Sequence, residues 1–228
     1  MRFDVVSIFP EVFDPVFRQG VVGRAVQRGR LRLHAHDLRE WTADRHRQVD
    51  DAPFGGGAGM VMKPEPIFAA VEAIRPSNAG PVVLMEPWGE MLTQDLAKEL
   101  AAGPGLIVVC GRYEGVDDRV RQGLADREIS IGPYVLSGGE IPAMVLVDAV
   151  ARLLPGVLGE EASLAQDVFG GTEGGYPQFT RPAEFRGLRV PEVLLSGDHA
   201  AIERWRRDHA RKATRGEARL APTERTLP

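Results

Sequence analysis

Two apolar strands with an amphipathic helix between them decide the fold: "PVVLME" (81–86), "TQDLAKELAA" (93–102) and "GLIVVCG" (105–111). Both strand candidates are continuous runs rich in β-branched residues, which is typical of parallel strands buried on both faces of a sheet. A strand, a helix and a second strand in this order form one βαβ unit. This unit predicts an α/β domain with a mostly parallel sheet.

Further elements extend the unit in both directions along the chain. Apolar alternation and continuous apolar runs indicate strands, and apolar residues three or four apart indicate helices. The remaining predicted strands are 3–9, 31–36, 128–132 and 134–138, and the remaining predicted helices are around 11–28, 64–74, 116–124 and 141–154. We find no internal repeat.

A stretch rich in glycine and acidic residues interrupts this pattern. It lacks apolar periodicity, which is typical of an interdomain linker. We therefore predict an α/β domain over 1–159, a flexible linker over 160–174 and a small helical domain over 175–228. In the last domain, Ile202 and Trp205 fall on one face of a predicted helix.

The formal net charge of −4 is divided unevenly between these regions. Residues 175–228 contain 11 Lys and Arg against 7 Asp and Glu, whereas residues 1–174 contain 17 against 25. A basic helix is most often a solvated surface, and it is less often a surface that binds phosphates. Composition alone leaves both interpretations open. The bases that could contact RNA include Arg204, Arg207 and Arg211.

Targeting and membrane signals are lacking in the sequence. The single cysteine, Cys110, excludes an internal disulfide and suits a reducing compartment. The first apolar run is too short and contains Asp4 too early for a signal peptide. No run approaches the roughly 20 apolar residues that cross a membrane. We expect a cytoplasmic protein with no membrane partner.

Glycine is concentrated where strands end, in 85–90, 110–115 and 130–139. Neither a G-x-G-x-x-G after the first strand nor a P-loop motif is present. Ligands of open α/β sheets lie beyond the carboxyl ends of the strands, so these ends predict a ligand approached closely by main chain. A local alternative is a capping box from Ser137 to Glu140, although it does not explain the glycines between them.

Six motifs then identify a family. In chain order they are "DRHRQVDDAPFGGGAGM" (44–60), "CGRYEGVDDRV" (110–120), "SIGPYVLSGGEIPA" (130–143), "PGVLGEEAS" (155–163), "YPQFTRP" (176–182) and "VPEVLLSGDH" (190–199). Together they resemble the bacterial tRNA (guanine-N1-)-methyltransferases, enzymes of the knotted SPOUT superfamily that methylate guanine 37 of tRNA. The resemblance extends from about residue 2 to residue 212. It implies a deep trefoil knot, S-adenosyl-L-methionine (AdoMet) as the methyl donor and a homodimer.

The resemblance also implies which residues bind AdoMet. They are Leu84, Pro87, Gly111, Tyr113, Ile131, Gly132, Pro133, Tyr134, Val135 and Leu136, with Gly138, Gly139 and Pro142 closing over the ligand. The family usually has an acid at the position of Pro133. A contact made by that carboxylate is therefore not expected in this chain, and proline also lacks an amide hydrogen.

Methylation at N1 of neutral guanine requires removal of a proton while negative charge builds on O6. By resemblance, Asp167 is the general base, Arg152 holds O6, and Glu114 lies near the methyl donor and is linked to a magnesium ion. Without the resemblance, Asp167 is more typical of a solvated linker acid. Arg152 is equally well explained by an ion pair with Asp148 one helical turn away.

The glycine-rich loop "VDDAPFGGGAGM" (49–60) is the second candidate for contact with RNA. By resemblance, Asp50 and Gly59 surround the target base, whereas a merely flexible loop is the alternative. The scattered histidines do not predict a metal site. Two other functions stay open: a related knotted methyltransferase with another RNA target, and a catalytically silent module that binds AdoMet or RNA.

Overall fold

A parallel sheet forms the centre of the first part of the chain in the computed structural model, which describes residues 1–158 and 175–210. The strands of this part are β1 (Arg2–Ser7), β2 (Arg32–Asp37), β3 (Asp50–Asp51), β4 (Val61–Met62), β5 (Val82–Met91), β6 (Gly105–Cys110) and β7 (Arg127–Ser130). Five of them form one sheet in the order β2-β1-β6-β5-β7, and every neighbouring pair is parallel. The predicted α/β class is therefore confirmed.

Helices cover both faces of this sheet. They are α1 (Asp14–Phe17), α2 (Gly20–Gln27), α3 (Pro64–Ile74), α4 (Gln94–Ala101), α5 (Asp118–Gly123) and α6 (Glu140–Ala151), with 3-10 turns at Pro10–Val12, Leu38–Trp41 and Arg75–Ser77. Because side chains alternate along a strand, Val83 packs in the core with α1, α2, α4 and α6, and Leu84 packs in the core with α3 and α5.

The first predicted helix and the predicted strand 81–86 differ from the structure. The helix expected around 11–28 is broken, because Gly20 has a φ of +61° and lies in the left-handed region that ends a helix. Strand β5 extends to Met91 rather than ending at residue 86. Met85 and Glu90 both pair with Ile129, so residues 86–89 bulge out of the ladder.

Contacts between Cα atoms divide the chain into two compact units, Met1–Gly159 and Glu160–Pro228. In the second unit, the short strands β8 (Glu184–Phe185) and β9 (Leu188–Arg189) form an antiparallel pair, followed by α7 (Glu192–Leu195) and α8 (His199–Asp208). The side chain of Asp198 caps α8 by accepting a hydrogen bond from the amide of Ala201 at 3.0 Å.

The predicted apolar face of α8 lines a cavity of about 280 Å³ within the second unit, where Ile202 and Trp205 meet Phe179. Trp205 also stacks on His209, with ring centroids 4.2 Å apart. Within the described residues of the chain, no helix is long and apolar enough to span a membrane.

Candidate active site

A pocket of about 280 Å³ lies at the carboxyl ends of β5, β6 and β7. The segments that form it are the bulge of β5, the loop after β6 and the segment after β7. In a parallel sheet this edge is where ligands bind, because backbone donors and acceptors become free as the strands end. The lining residues, apart from Met85 and Ile129, are Glu86, Pro87, Trp88, Gly111, Arg112, Tyr113, Glu114, Gly115, Ser130, Ile131, Gly132, Tyr134, Val135, Leu136, Ser137, Gly138, Gly139 and Pro142.

The segment after β7 approaches the end of β6 so closely that only glycine fits. The Gly139 amide donates a hydrogen bond to the Gly111 carbonyl at 2.8 Å. A Cβ atom on Gly139 would lie 2.8 Å from the Cα atom of Cys110 and 3.0 Å from the Gly111 nitrogen. These are main-chain atoms that no rotamer change can move, so a close approach of two backbones requires glycine at this position.

The strand expected at 134–138 is wrong, because those residues form a loop whose only β-type contact is an isolated bridge between Arg112 and Gly138. Tyr134 and Val135 are 53% and 85% exposed, so apolar residues that looked like a strand line the pocket instead.

The capping-box alternative is also wrong. The N-cap residue of α6 is Gly139, which makes no side-chain capping bond. Glu140 is instead 3% exposed, and its two carboxylate oxygens accept hydrogen bonds from Ser7 Oγ at 2.7 Å and Arg112 Nε at 2.9 Å. The Arg112 guanidinium also lies 4.7 Å from the ring centre of Phe9. Through this partly buried ion pair and the Ser7 hydrogen bond, Glu140 joins the end of β1, the loop after β6 and the start of α6.

The loop after β6 has an unusual backbone. Tyr113 has a φ of +60° although it carries a side chain, and Gly115 has a φ of +117°. A non-glycine residue in the left-handed region costs conformational free energy of order 1–3 kcal/mol, and such residues concentrate at ligand sites. The loop therefore has the features of a shaped binding segment rather than of a simple turn.

Eleven of the thirteen residues predicted to contact AdoMet line this pocket. The two others are Leu84 and Pro133. Leu84 is 1% exposed and packs in the core two residues before the bulge of β5, and Pro133 is exposed to solvent outside the pocket lining.

The glycine-rich loop and Glu114 meet beside the pocket. Asp50 on β3 pairs with Met62 on β4, and the Glu114 amide donates to the Met60 carbonyl at 3.1 Å. A Cβ atom on Gly59 would lie 2.5 Å from Glu114 Oε1, so these two residues are in contact. The structure thus brings Gly59 and Glu114, which were predicted from two separate motifs, into contact.

The other predicted site residues lie away from the pocket or outside the described residues. Arg152 follows the last turn of α6, ten residues beyond Pro142, which corresponds to roughly 15 Å along the helix. Arg204 and Arg207 are exposed on α8 and make no ion pair with a residue of the described parts. Asp167 and Arg211 lie outside the described residues.

Sequence reasoning missed Glu86 and the Arg112–Glu140 pair. Glu86 follows the buried part of β5 and is half-buried in the pocket wall. Burial, followed by the nearby charge of Glu128, raises the pKa of Glu86. A carboxylate directly after four buried apolar residues was the available signal, since such a side chain cannot easily reach bulk water.

The described residues do not contain a preformed metal site, because no three His, Cys, Asp or Glu side chains are grouped to hold an ion. His36 instead donates a hydrogen bond from Nε2 to the Asp4 carboxylate at 2.8 Å. Cys110 is 1% exposed, and burial followed by the charge of Glu140 raises the pKa of its thiol. This position excludes a thiolate nucleophile in the folded protein.

A parallel sheet with a main-chain-lined pocket beyond its strand ends defines an α/β protein with a ligand site at this edge of the sheet. The chain matches the tRNA (Guanine-1)-methyltransferase TrmD family over residues 1–220 and belongs to that family. It is a methyltransferase that modifies tRNA.

Relatives of known name cover most of the chain. The tRNA (guanine-N(1)-)-methyltransferase of Chloroflexus aggregans is 53% identical over 216 residues, which are 94% of this chain and 84% of the relative. That of Moorella thermoacetica is 54% identical over 217 residues, or 94% and 87%. The crystal structure of the tRNA (m1G37) methyltransferase from Aquifex aeolicus superposes with a TM-score of 0.78 at 44% identity, covering 92% of this chain and 88% of that one.

Proposed function

We propose that this enzyme transfers the methyl group of AdoMet to N1 of guanine 37 in tRNA. The glycine-walled pocket at the ends of β5, β6 and β7 is the observation that carries the proposal. The tRNA (m1G37) methyltransferase named above is the structural relative that supports guanine 37 as the target.

The pocket fits a flat, polar ligand such as AdoMet. Side chains at Gly138 and Gly139 would fill or distort the wall, so main-chain groups face the ligand. Tyr134 and Leu136 supply apolar surface, and Pro87 and Pro142 close the rim. When bound there, AdoMet supplies an electrophilic methyl group on a sulfonium. We propose that the segment following β7 is threaded as the trefoil knot of the family.

The protein must remove the N1 proton and stabilise charge on O6. We propose Asp167 as the general base and Arg152 as the O6 donor, with Glu114 beside the reacting groups. Glu114 is exposed and in contact with Gly59, which suits a side chain that orders a loop over the substrate. The described residues offer no preformed magnesium site, so no step is assigned to the ion. Assistance by magnesium remains a prediction.

We propose a homodimer in which Arg152 serves the pocket of the partner subunit. Two features support it. Arg152 lies roughly 15 Å along α6 from Pro142, too far to meet a base in its own pocket. In addition, α6 exposes Ile141 by 56% and Val145 by 43%, one turn apart, which gives an apolar strip that a second copy would cover.

The tRNA contacts are proposed on both units. Gly59 contacts the lining residue Glu114, and Asp50 lies on β3, which pairs with β4 directly after this loop; we propose that both contact a base splayed out of the anticodon loop. Arg204 and Arg207 lie three residues apart on α8 and, with Arg211, would hold backbone phosphates. We propose that the enzyme acts in the cytoplasm.

The test is transfer of labelled methyl from AdoMet to two tRNA transcripts that differ only in guanine or adenine at position 37. We expect label in the first transcript alone, recovered after nuclease digestion as 1-methylguanosine. Label at another guanosine indicates a different RNA target. Binding of AdoMet without label in either transcript indicates a catalytically silent module.

A second experiment addresses the general base. Asp167→Asn should abolish methyl transfer and leave the AdoMet affinity measured by calorimetry within about twofold of the wild type. Glu72→Gln, on the exposed face of α3, is the control and should change neither quantity. A large loss of AdoMet affinity in the Asp167 variant would contradict the assigned role.

A further inference from the structure

Glu86 is a carboxylate in the pocket wall to which the reaction assigns no role. It begins the four-residue bulge of β5 and separates the pocket from a neighbouring groove between α5 and β7. Cβ atoms added to Gly111 and Gly115 would lie 4.0 Å from its Oε2 and Oε1 atoms, respectively. The carboxylate therefore faces two of the glycines that form the loop after β6.

Glu86 makes no hydrogen bond or ion pair with any residue of the described segments, although basic side chains lie close by. Arg121, which borders the same groove, binds Asp118 at 2.5 Å. Glu90, at the other end of the bulge, accepts from Arg127 at 2.8 Å. The Glu86 oxygens stay accessible to solvent, but a half-buried carboxylate without a protein donor loses part of its hydration and gains no hydrogen bond in return.

We propose that Glu86 accepts a hydrogen bond from a donor group of the bound methyl donor and sets the affinity of the pocket for it. This inference rests on the proposed use of AdoMet. AdoMet offers an ammonium group, ribose hydroxyls and an adenine amine as donors. Of the other charged residues in the lining, Arg112 is paired with Glu140, and Glu114 lies beside Gly59, so Glu86 is an acceptor that a ligand donor can still use.

The charged neighbours of Glu86 determine whether ligand binding changes its protonation. Those facing Glu86 are Glu128 on β7, Asp118 and Arg121 on α5, and Arg112 and Glu114 in the loop after β6. Burial and Glu128 raise the pKa of Glu86 in the free protein. A donor from the ligand favours the ionised form, so binding lowers this pKa and releases a proton at mildly acidic pH.

The experiment is calorimetric titration of the full chain with AdoMet near pH 5 in two buffers of different ionisation enthalpy. We compare the wild type with Glu86→Gln, Glu86→Ala and the exposed control Glu72→Gln. A hydrogen bond to a charged group is worth about 1.5–3 kcal/mol, so Glu86→Ala should weaken binding roughly 10- to 150-fold. Both Glu86 variants should lose the buffer-dependent proton release, and Glu72→Gln should keep it.

Repeating the titration with S-adenosylhomocysteine identifies the interaction, since this molecule keeps the three donors and lacks the sulfonium charge. Equal loss of affinity for both ligands supports the hydrogen bond. A loss confined to AdoMet indicates attraction to the sulfonium and overturns it. Folding is checked by thermal unfolding, where Glu86→Gln should match or exceed the wild type because a carboxylate repelled by Glu128 is neutralised.

The outcomes separate this contact from the proposed function. Unchanged affinity and unchanged proton release in Glu86→Gln overturn the contact alone. Failure of the wild type to bind AdoMet overturns the contact and the proposed function together. Binding with the expected Glu86 effects, but without methyl transfer to guanine 37, leaves the contact standing and refutes the target.

Discussion

Replacement of Gly139 by alanine tests whether the pocket depends on close backbone packing. Gly139 has a φ of −81°, so alanine meets no conformational obstacle there and the effect is purely steric. Its Cβ atom would lie 2.8 Å from the Cα atom of Cys110, whereas two carbons pack best about 3.5–4.0 Å apart. The two segments must therefore separate by roughly 0.7–1.2 Å.

Overpacking of this kind costs about 1–3 kcal/mol, which for a chain of this size lowers the melting temperature by about 2–12 °C. Separation would also stretch the 2.8 Å hydrogen bond from Gly139 to Gly111, so we expect AdoMet affinity to fall at least about tenfold, or 1.4 kcal/mol. Thermal unfolding and calorimetry measure the two effects.

Gly111→Ala is the matched control for stability, because its Cβ atom would meet nothing closer than a Val116 methyl carbon at 3.6 Å. It should change the melting temperature by less than about 2 °C. If Gly139→Ala is as stable as Gly111→Ala, the close approach described here is wrong.

Three further predictions follow from other contacts. Homodimers of Arg152→Ala and of Gly111→Leu should each be inactive. If Arg152 acts across the interface, a mixed dimer should have one active site, formed by the intact pocket of the Arg152→Ala subunit and by Arg152 of the Gly111→Leu subunit. An inactive mixed dimer would show that Arg152 acts in the pocket of its own subunit. Cys110 should react with a thiol reagent only after unfolding, and rapid labelling of native protein would contradict its burial. Burial alone would raise the pKa of Asp4, but hydrogen bonds from His36, Arg2 and Asn78 hold it well below the ordinary value. Asp4→Asn should therefore lower the free energy of unfolding by about 1.5–3 kcal/mol at neutral pH. In urea titrations, the difference in unfolding free energy between the wild type and Asp4→Asn should be complete above about pH 4 and should shrink as the pH falls below this value. A difference that does not change with pH would refute the pairing.

Hydrophobic periodicity was sufficient to predict most strands of the sheet and most of its helices. Helix α3 begins and ends at the predicted residues, 64 and 74, because its apolar face is regular and its first turn contains proline. The parallel sheet follows from continuous apolar runs such as 105–110, whose side chains are buried on both faces. These elements depend on local sequence and on burial, and both are visible in the pattern of apolar residues along one chain.

The pocket walls could not be predicted in the same way, because ligand contact and core burial select similar residues. Tyr134 and Val135 carry the side chains of a strand, yet they line a cavity. Glu140 matches a local capping pattern, but its partners Ser7 and Arg112 lie 133 and 28 residues away in the sequence. Pairings over such separations depend on topology, which local patterns do not contain.

The partly buried pair of Arg112 and Glu140 connects the packing of the pocket wall with ligand binding. A buried ion pair is weak evidence for stability, because the loss of hydration offsets much of the attraction between the charges. This pair nevertheless lies where three separate segments meet, at the first residue of α6 and directly after Gly111. Its directional hydrogen bonds hold the glycine segments at the short spacing that the pocket wall requires. We conclude that the main role of the Arg112–Glu140 pair is to position the main chain that faces the ligand.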